Sequence, residues 1–187
     1  MILATRDLDA AAAQLERERG LRTAGGGAHD GMGTHNRIVP LGDGYLELLA
    51  IRDKREAAGS ALGRAVAARL ERTGEGLMGW AVTVEDAEAV ARRLGTELVT
   101  ISRQGFAARL TGVAEALAEP CLPFFLARDH DLPDPGAGAE AGGITWIEVA
   151  GHEERLAAWL GGADLPLRVR PGPPALLAVG IGTSRLP

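Results

Sequence analysis

Glu47 lies within the apolar run Tyr45-Leu46-Glu47-Leu48-Leu49-Ala50-Ile51, and a carboxylate inside such a strand must be solvated, paired or bound. If the strand face is simply exposed, Arg37 on the preceding run is the partner it would take. His35 and Asn36 are adjacent there, so their side chains point to opposite faces and only one shares the face of Glu47. The intervening turn decides which. A two-residue turn at Asp43-Gly44 aligns Asn36 with Glu47, whereas a three-residue turn aligns His35. Both registers are open, and capping of the glycine-rich turn or plain exposure is the simpler role for either residue.

Other chemistry-bearing residues are sparse. Asp129-His130-Asp131 has ligand types in a row, but it stands just before Pro133 and reads as a solvated loop. His29 follows three glycines that allow close backbone approach to a ligand, while His152 opens a helix as an exposed or capping residue. Trp80 and Trp146 hold similar places in two strand segments, where core packing competes with lining of a binding surface. Cys121 sits beside Pro120 without a nucleophile signature and reads as buried and inert. Neither a Gly-x-Ser-x-Gly elbow nor a glycine loop opening a helix is present, which removes serine hydrolase, P-loop and dinucleotide chemistry.

These residues need a scaffold, and three segments share one grammar of strand, acidic or glycine break, helix and glycine stop. The first runs Met1 to Thr5, then a helix from the Asp7 cap to Gly20. The second runs Trp80 to Val84, then a helix from Glu85-Asp86 to Gly95; the third runs Ile144 to Val149, then a helix ending at Gly161-Gly162. Strands follow each helix, expected at Leu21–Ala24, Thr34–Leu41 and Tyr45–Ile51 in the first unit. In the second they are Glu97–Ser102, Ala107–Gly112 and Leu122–Arg128, and in the third Pro166–Arg170 and Ala175–Ile181. The pattern predicts an α+β protein of βαβββ units over about 1–52 and 77–128, with a truncated third βαββ unit over 144–183, all within one domain. Leu62, Val66 and Leu70 predict a helix between units over 60–72, and Asp129 to Gly143 reads as a surface loop.

The 187 residues are 46% hydrophobic and 24% charged, enough to bury a core and too apolar for a disordered chain. A net charge of -5 without a basic block excludes a nucleic-acid partner. No apolar run approaches the ~20 residues of a membrane helix, the start lacks a signal peptide, and one cysteine forms no internal disulfide, so a cytoplasmic protein is expected.

Gly25-Gly26-Gly27-Ala28-His29, Gly31-Met32-Gly33-Thr34-His35-Asn36-Arg37-Ile38-Val39-Pro40-Leu41 and Gly42-Asp43-Gly44-Tyr45-Leu46-Glu47-Leu48 resemble the glyoxalase-like branch of the vicinal oxygen chelate superfamily. Leu122-Pro123-Phe124-Phe125 is similar with less specificity. The resemblance implies paired βαβββ modules whose curled mixed sheets form a cup, holding either a divalent metal (Zn, Fe, Mn or Ni) or a ligand without metal. Glu47 matches the strand-four ligand position, so the implied metal residues are Glu47 and His35, with Asn36, Arg37, Trp80, Phe125 and Trp146 around the small molecule. The other ligand places disagree: the chain begins at about the residue after the first-strand His, and Met78 or Gly79, Ile144, Phe124 and Phe125 hold the rest. Either a ligand precedes Met1 or a metal is not held in the usual way. The expectation is a metal-dependent lyase, isomerase or dioxygenase-like enzyme, or else a binder that sequesters a small molecule in an aromatic-lined cup. The unit ending at Ile181–Pro187 one strand short leaves a sheet edge that a homodimer would cover, with the 60–72 helix as the rival cover.

Overall fold

The computed structural model describes residues 1–103, 106–128, 134–137, 139 and 142–187. Asp129-His130-Asp131 lies outside the described residues. The chain divides into two compact units, the first made of residues 1–78, 135–147 and 178–187 and the second of 79–134 and 148–177.

In the first unit, strand β1 (Ile2–Ala4) leads into helix α1 (Leu8–Arg19). Asp7 caps the helix by accepting from the Asp9 and Ala10 N–H groups, and Gly20 ends it at φ 69°. Strands β2 (Gly26–His29), β3 (Thr34–Pro40) and β4 (Tyr45–Ile51) follow, then helices α2 (Lys54–Gly59) and α3 (Ala61–Arg72) and strand β5 (Gly76–Gly79). The sheet order is β2-β3-β4-β1-β5, antiparallel from β2 to β4 and parallel where β1 meets β4. Leu8, Ala12 and Leu15 of α1 are buried, as are Leu3, Val39, Leu46, Leu48 and Ala50 of the sheet. Burying such side chains is worth roughly 1.5–3 kcal/mol each for the larger ones.

Within β2 to β4 two details depart from the sequence reading. The strand after α1 is Gly26–His29 and not Leu21–Ala24, and its close approach to β3 needs glycine, since a Cβ at Gly26 would collide with the Asn36 carbonyl oxygen. The hairpin turn is Gly42-Asp43, closed by Leu41 N–H donating to the Gly44 carbonyl at 2.9 Å, with Gly42 at φ 96°. Ile38 therefore stands opposite Glu47, and Asn36 falls on the Glu47 face.

The second unit holds β6 (Ala81–Thr83), α4 (Ala87–Leu94), β7 (Leu98–Arg103), β8 (Phe106–Thr111), α5 (Val113–Ala118) and β9 (Phe124–Arg128), with sheet order β6-β9-β8-β7. Asp86 caps α4 and Gly95 stops it at φ 67°. The remaining strands β10 (Ile144–Ala150), β11 (Leu167–Arg170), β12 (Ala175–Ile181) and β13 (Ser184–Leu186) order as β11-β10-β12-β13, and helix α6 (Glu153–Leu160) follows β10. β13 is the strand that the sequence reading lacked; three residues after Gly182 suffice to pair Val179 with Leu186. The open edge from which a homodimer was argued is thus occupied by the chain's own end.

Candidate functional site

Alternation along β3 and β4 puts Asn36 and Ile38 on one face with Glu47 and Leu49, and pairing with β2 and β1 adds His29 and Ile2 to that face. Three polar side chains meet there. Asn36, only 5% exposed, donates from Nδ2 to Glu47 Oε1 at 2.6 Å. Its Oδ1 accepts the Gly27 N–H at 2.9 Å, which fixes the amide orientation from both ends. His29 Nε2 lies 3.6 Å from Glu47 Oε1, too long for a hydrogen bond but within ion-pair range when the ring is protonated. Its Nδ1 meets Thr34 Oγ1 at 2.9 Å, and the side chains of His29 and Glu47 are 13% and 16% exposed.

No guanidinium or lysine ammonium pairs with Glu47 among the described residues. The contrast is Glu148 on β10, whose carboxylate takes Arg170 Nε at 2.5 Å. The α-amino group of Met1 donates to the Tyr45 carbonyl at 3.0 Å. Burial pushes this amine down to about 6, while the nearby Glu47 carboxylate pulls it back up. Glu47 is therefore a strand carboxylate with the Asn36 amide, the His29 imidazole and the Met1 amine near it.

The sequence-derived candidates separate. His35 pairs with Ala50 and Arg37 with Leu48, so both point away from Glu47. Arg37 bonds Asp9 of α1 and is not the partner of Glu47, since a one-residue offset sends it to the opposite face. Trp80 and Phe125 belong to the second unit and are packed in its interior. Trp80 Nε1 donates to the Cys121 carbonyl at 3.2 Å, and Phe125 lies 6.2 Å from the Trp159 ring, whose own Nε1 donates to the Pro123 carbonyl at 2.8 Å. Trp146 is half-buried, and its indole covers Gly180, where a Cβ would collide with it. His29 is the residue that the sequence reading did not join to Glu47. The signal was the short turn between His29 and Thr34, which places His29 two strands from Glu47 with matching alternation.

A zinc site takes three or more protein ligands, as does a non-haem iron site. Among the described residues no three His, Cys, Asp or Glu side chains converge. Asn36 spends its amide N–H on Glu47, and the positions facing Glu47 on the neighbouring strands are Ile2 and Ile38. This donor set does not fit a resident metal by itself.

A family model described as a glyoxalase-like domain matches residues 1–163. The chain belongs to this glyoxalase-like family, within the vicinal oxygen chelate superfamily. Among solved structures, methylmalonyl-CoA epimerase from Mycobacterium tuberculosis aligns with TM-score 0.51 at 21% identity, covering 68% of this chain and 83% of that one. A variant of the Streptomyces coelicolor methylmalonyl-CoA epimerase, in complex with 2-nitronate-propionyl-CoA, aligns with TM-score 0.54 at 20% identity over 71% and 94%. A hypothetical protein from Staphylococcus aureus reaches TM-score 0.58 at 16% identity over 85% and 82%. At these identities the likeness is one of fold. No curated protein matches the chain.

Proposed function

We propose that this protein acts on a small carbonyl compound by proton transfer at Glu47, as an isomerase or lyase. The observation that carries the reading is the convergence of Asn36 and His29 on a strand carboxylate that no guanidinium among the described residues neutralises. In the step, the ionised Glu47 accepts a proton from the carbon beside the carbonyl, and the electron pair moves onto the carbonyl oxygen as an enolate. Return of the proton to carbon completes an isomerisation. His29, when protonated, pairs with the carboxylate, and Asn36 fixes its orientation. The fold shared with epimerases of a CoA ester supports a substrate with a carbonyl next to a carbon acid.

The test is exchange of carbon-bound hydrogen in D2O buffer containing EDTA, with methylmalonyl-CoA and a series of 2-oxo acids followed by NMR. Exchange by the wild-type protein that falls roughly 10²–10⁴-fold in Glu47→Gln is the expected result. Equal rates in both proteins would overturn the reading.

The rival is a sequestering protein that binds without turnover. Its aromatic contacts reduce to Trp146, because Trp80 and Phe125 are core residues. A metal-dependent form would need donors beyond Glu47 and His29, and elemental analysis of the purified protein decides it. Cytoplasmic residence is supported by the single buried Cys121; no helix among the described residues is long and apolar enough to cross a membrane. A homodimer no longer rests on a missing strand, and light scattering measures it.

A further inference from the structure

The face of β3 opposite Glu47 borders a cleft of about 460 Å³ in the first unit, beside the start of α1. Arg6, His35, Arg37 and Arg52 line it together with Asp7 and Asp9. Both carboxylates are already engaged. Asp7 accepts the Asp9 and Ala10 N–H groups as the helix cap, and Asp9 takes Arg37. Arg6 spends one guanidinium nitrogen on the Leu70 carbonyl at 2.7 Å and keeps its other donors. The side chains of Arg52 and His35 make no hydrogen bond or ion pair with the described residues. Donors thus outnumber acceptors on one concave surface of a chain whose net charge is -5.

We propose that this cleft binds a small phosphate-class oxyanion, held by Arg52 and Arg6 with His35 as a further donor. Guanidinium forks match the paired oxygens of such an anion, and donors arriving from β3, the end of β4 and the β1–α1 junction suit a tetrahedral group better than a flat carboxylate. His35 lies on the sheet face opposite Glu47, Gly27 and Asn36 also border the cleft, and the proposal stands whether or not the proton-transfer reading holds.

Calorimetric titration with inorganic phosphate, methyl phosphate and acetate, at constant ionic strength set by NaCl, tests it. The wild-type protein should bind phosphate saturably, and Arg52→Ala and His35→Gln should each weaken it about tenfold, the loss of one charge-assisted hydrogen bond. Arg52 is exposed and makes no side-chain bond with described residues, so its removal leaves the fold in place. Arg17→Ala, an exposed change elsewhere on α1, should bind as the wild type does. Methyl phosphate binding as tightly as inorganic phosphate would identify a phosphate ester as an accepted ligand, and weaker binding would identify the free anion; either supports the site. Absence of saturable phosphate binding, wild-type affinity in Arg52→Ala, or equal affinity for acetate would overturn it.

Discussion

Asn36 is held from two sides, by the Gly27 N–H on its oxygen and by Glu47 on its nitrogen, and it is buried. Asn36→Ala removes both bonds and leaves the Gly27 N–H without its acceptor, at a cost of about 1–3 kcal/mol. Urea unfolding should show this loss, and an unchanged midpoint would mean that solvent replaces the amide. Cys121 is buried, and burial followed by the nearby Glu119 pushes its thiol above the ordinary range. Ellman's reagent should therefore react with it slowly in native buffer and rapidly in guanidinium. Glu47 was legible in the sequence because a carboxylate among leucines is a local anomaly. His29 was not, because its distance to Glu47 depends on pairing across three strands.

At the element scale, the turn between β2 and β3 is set by two glycines with different surroundings. Gly33 has φ 65° and a Cβ there would collide with the Ala57 backbone of α2, whereas Gly31 has φ 73° with nothing near a Cβ. Gly31→Ala should cost about 1–2 kcal/mol from backbone strain alone, and Gly33→Ala distinctly more, because α2 must move as well. Thermal unfolding of the two variants side by side gives the difference; equal melting temperatures would contradict the close approach. Strand β4, helix α3 and the caps Asp7, Gly20, Gly95 and Gly161 follow from local signals and stand where the sequence put them. Helix α2 was missed although Asp53 caps it, with Glu56 three residues on, since six residues carry too little periodicity to announce a helix. The hairpin register was undecidable because Gly42, Asp43 and Gly44 permit several turns, and only the packing of Leu46 and Leu48 selects one.

At the scale of the whole molecule, the repeated strand–helix grammar was readable because it rests on composition and glycine stops, while the final strand β13 was too short to register. Charge also acts at this scale. Arg155 holds Glu119 with bonds at 2.8 and 2.5 Å, and that hydrogen bonding keeps the carboxyl below its ordinary value of 4.5. A depressed carboxyl stabilises the folded state above its unfolded pKa, and the contribution disappears as pH falls through the folded value. Stability should therefore decline below about pH 4.5, and Glu119→Gln should flatten that part of the curve. The effect should shrink in high salt, because the pair is partly exposed.

Proton transfer at Glu47 requires a small carbonyl compound to meet the face carrying His29, Asn36 and Glu47. Amide NMR of the ¹⁵N-labelled protein, titrated with 2-oxo acids and malonate, tests it most directly. Saturable shifts are expected at Gly27, Asn36 and Glu47, and those at Gly27 and Asn36 should persist in Arg52→Ala, which removes a donor of the anion cleft alone. Shifts confined to other residues, or lost in Arg52→Ala, would contradict it.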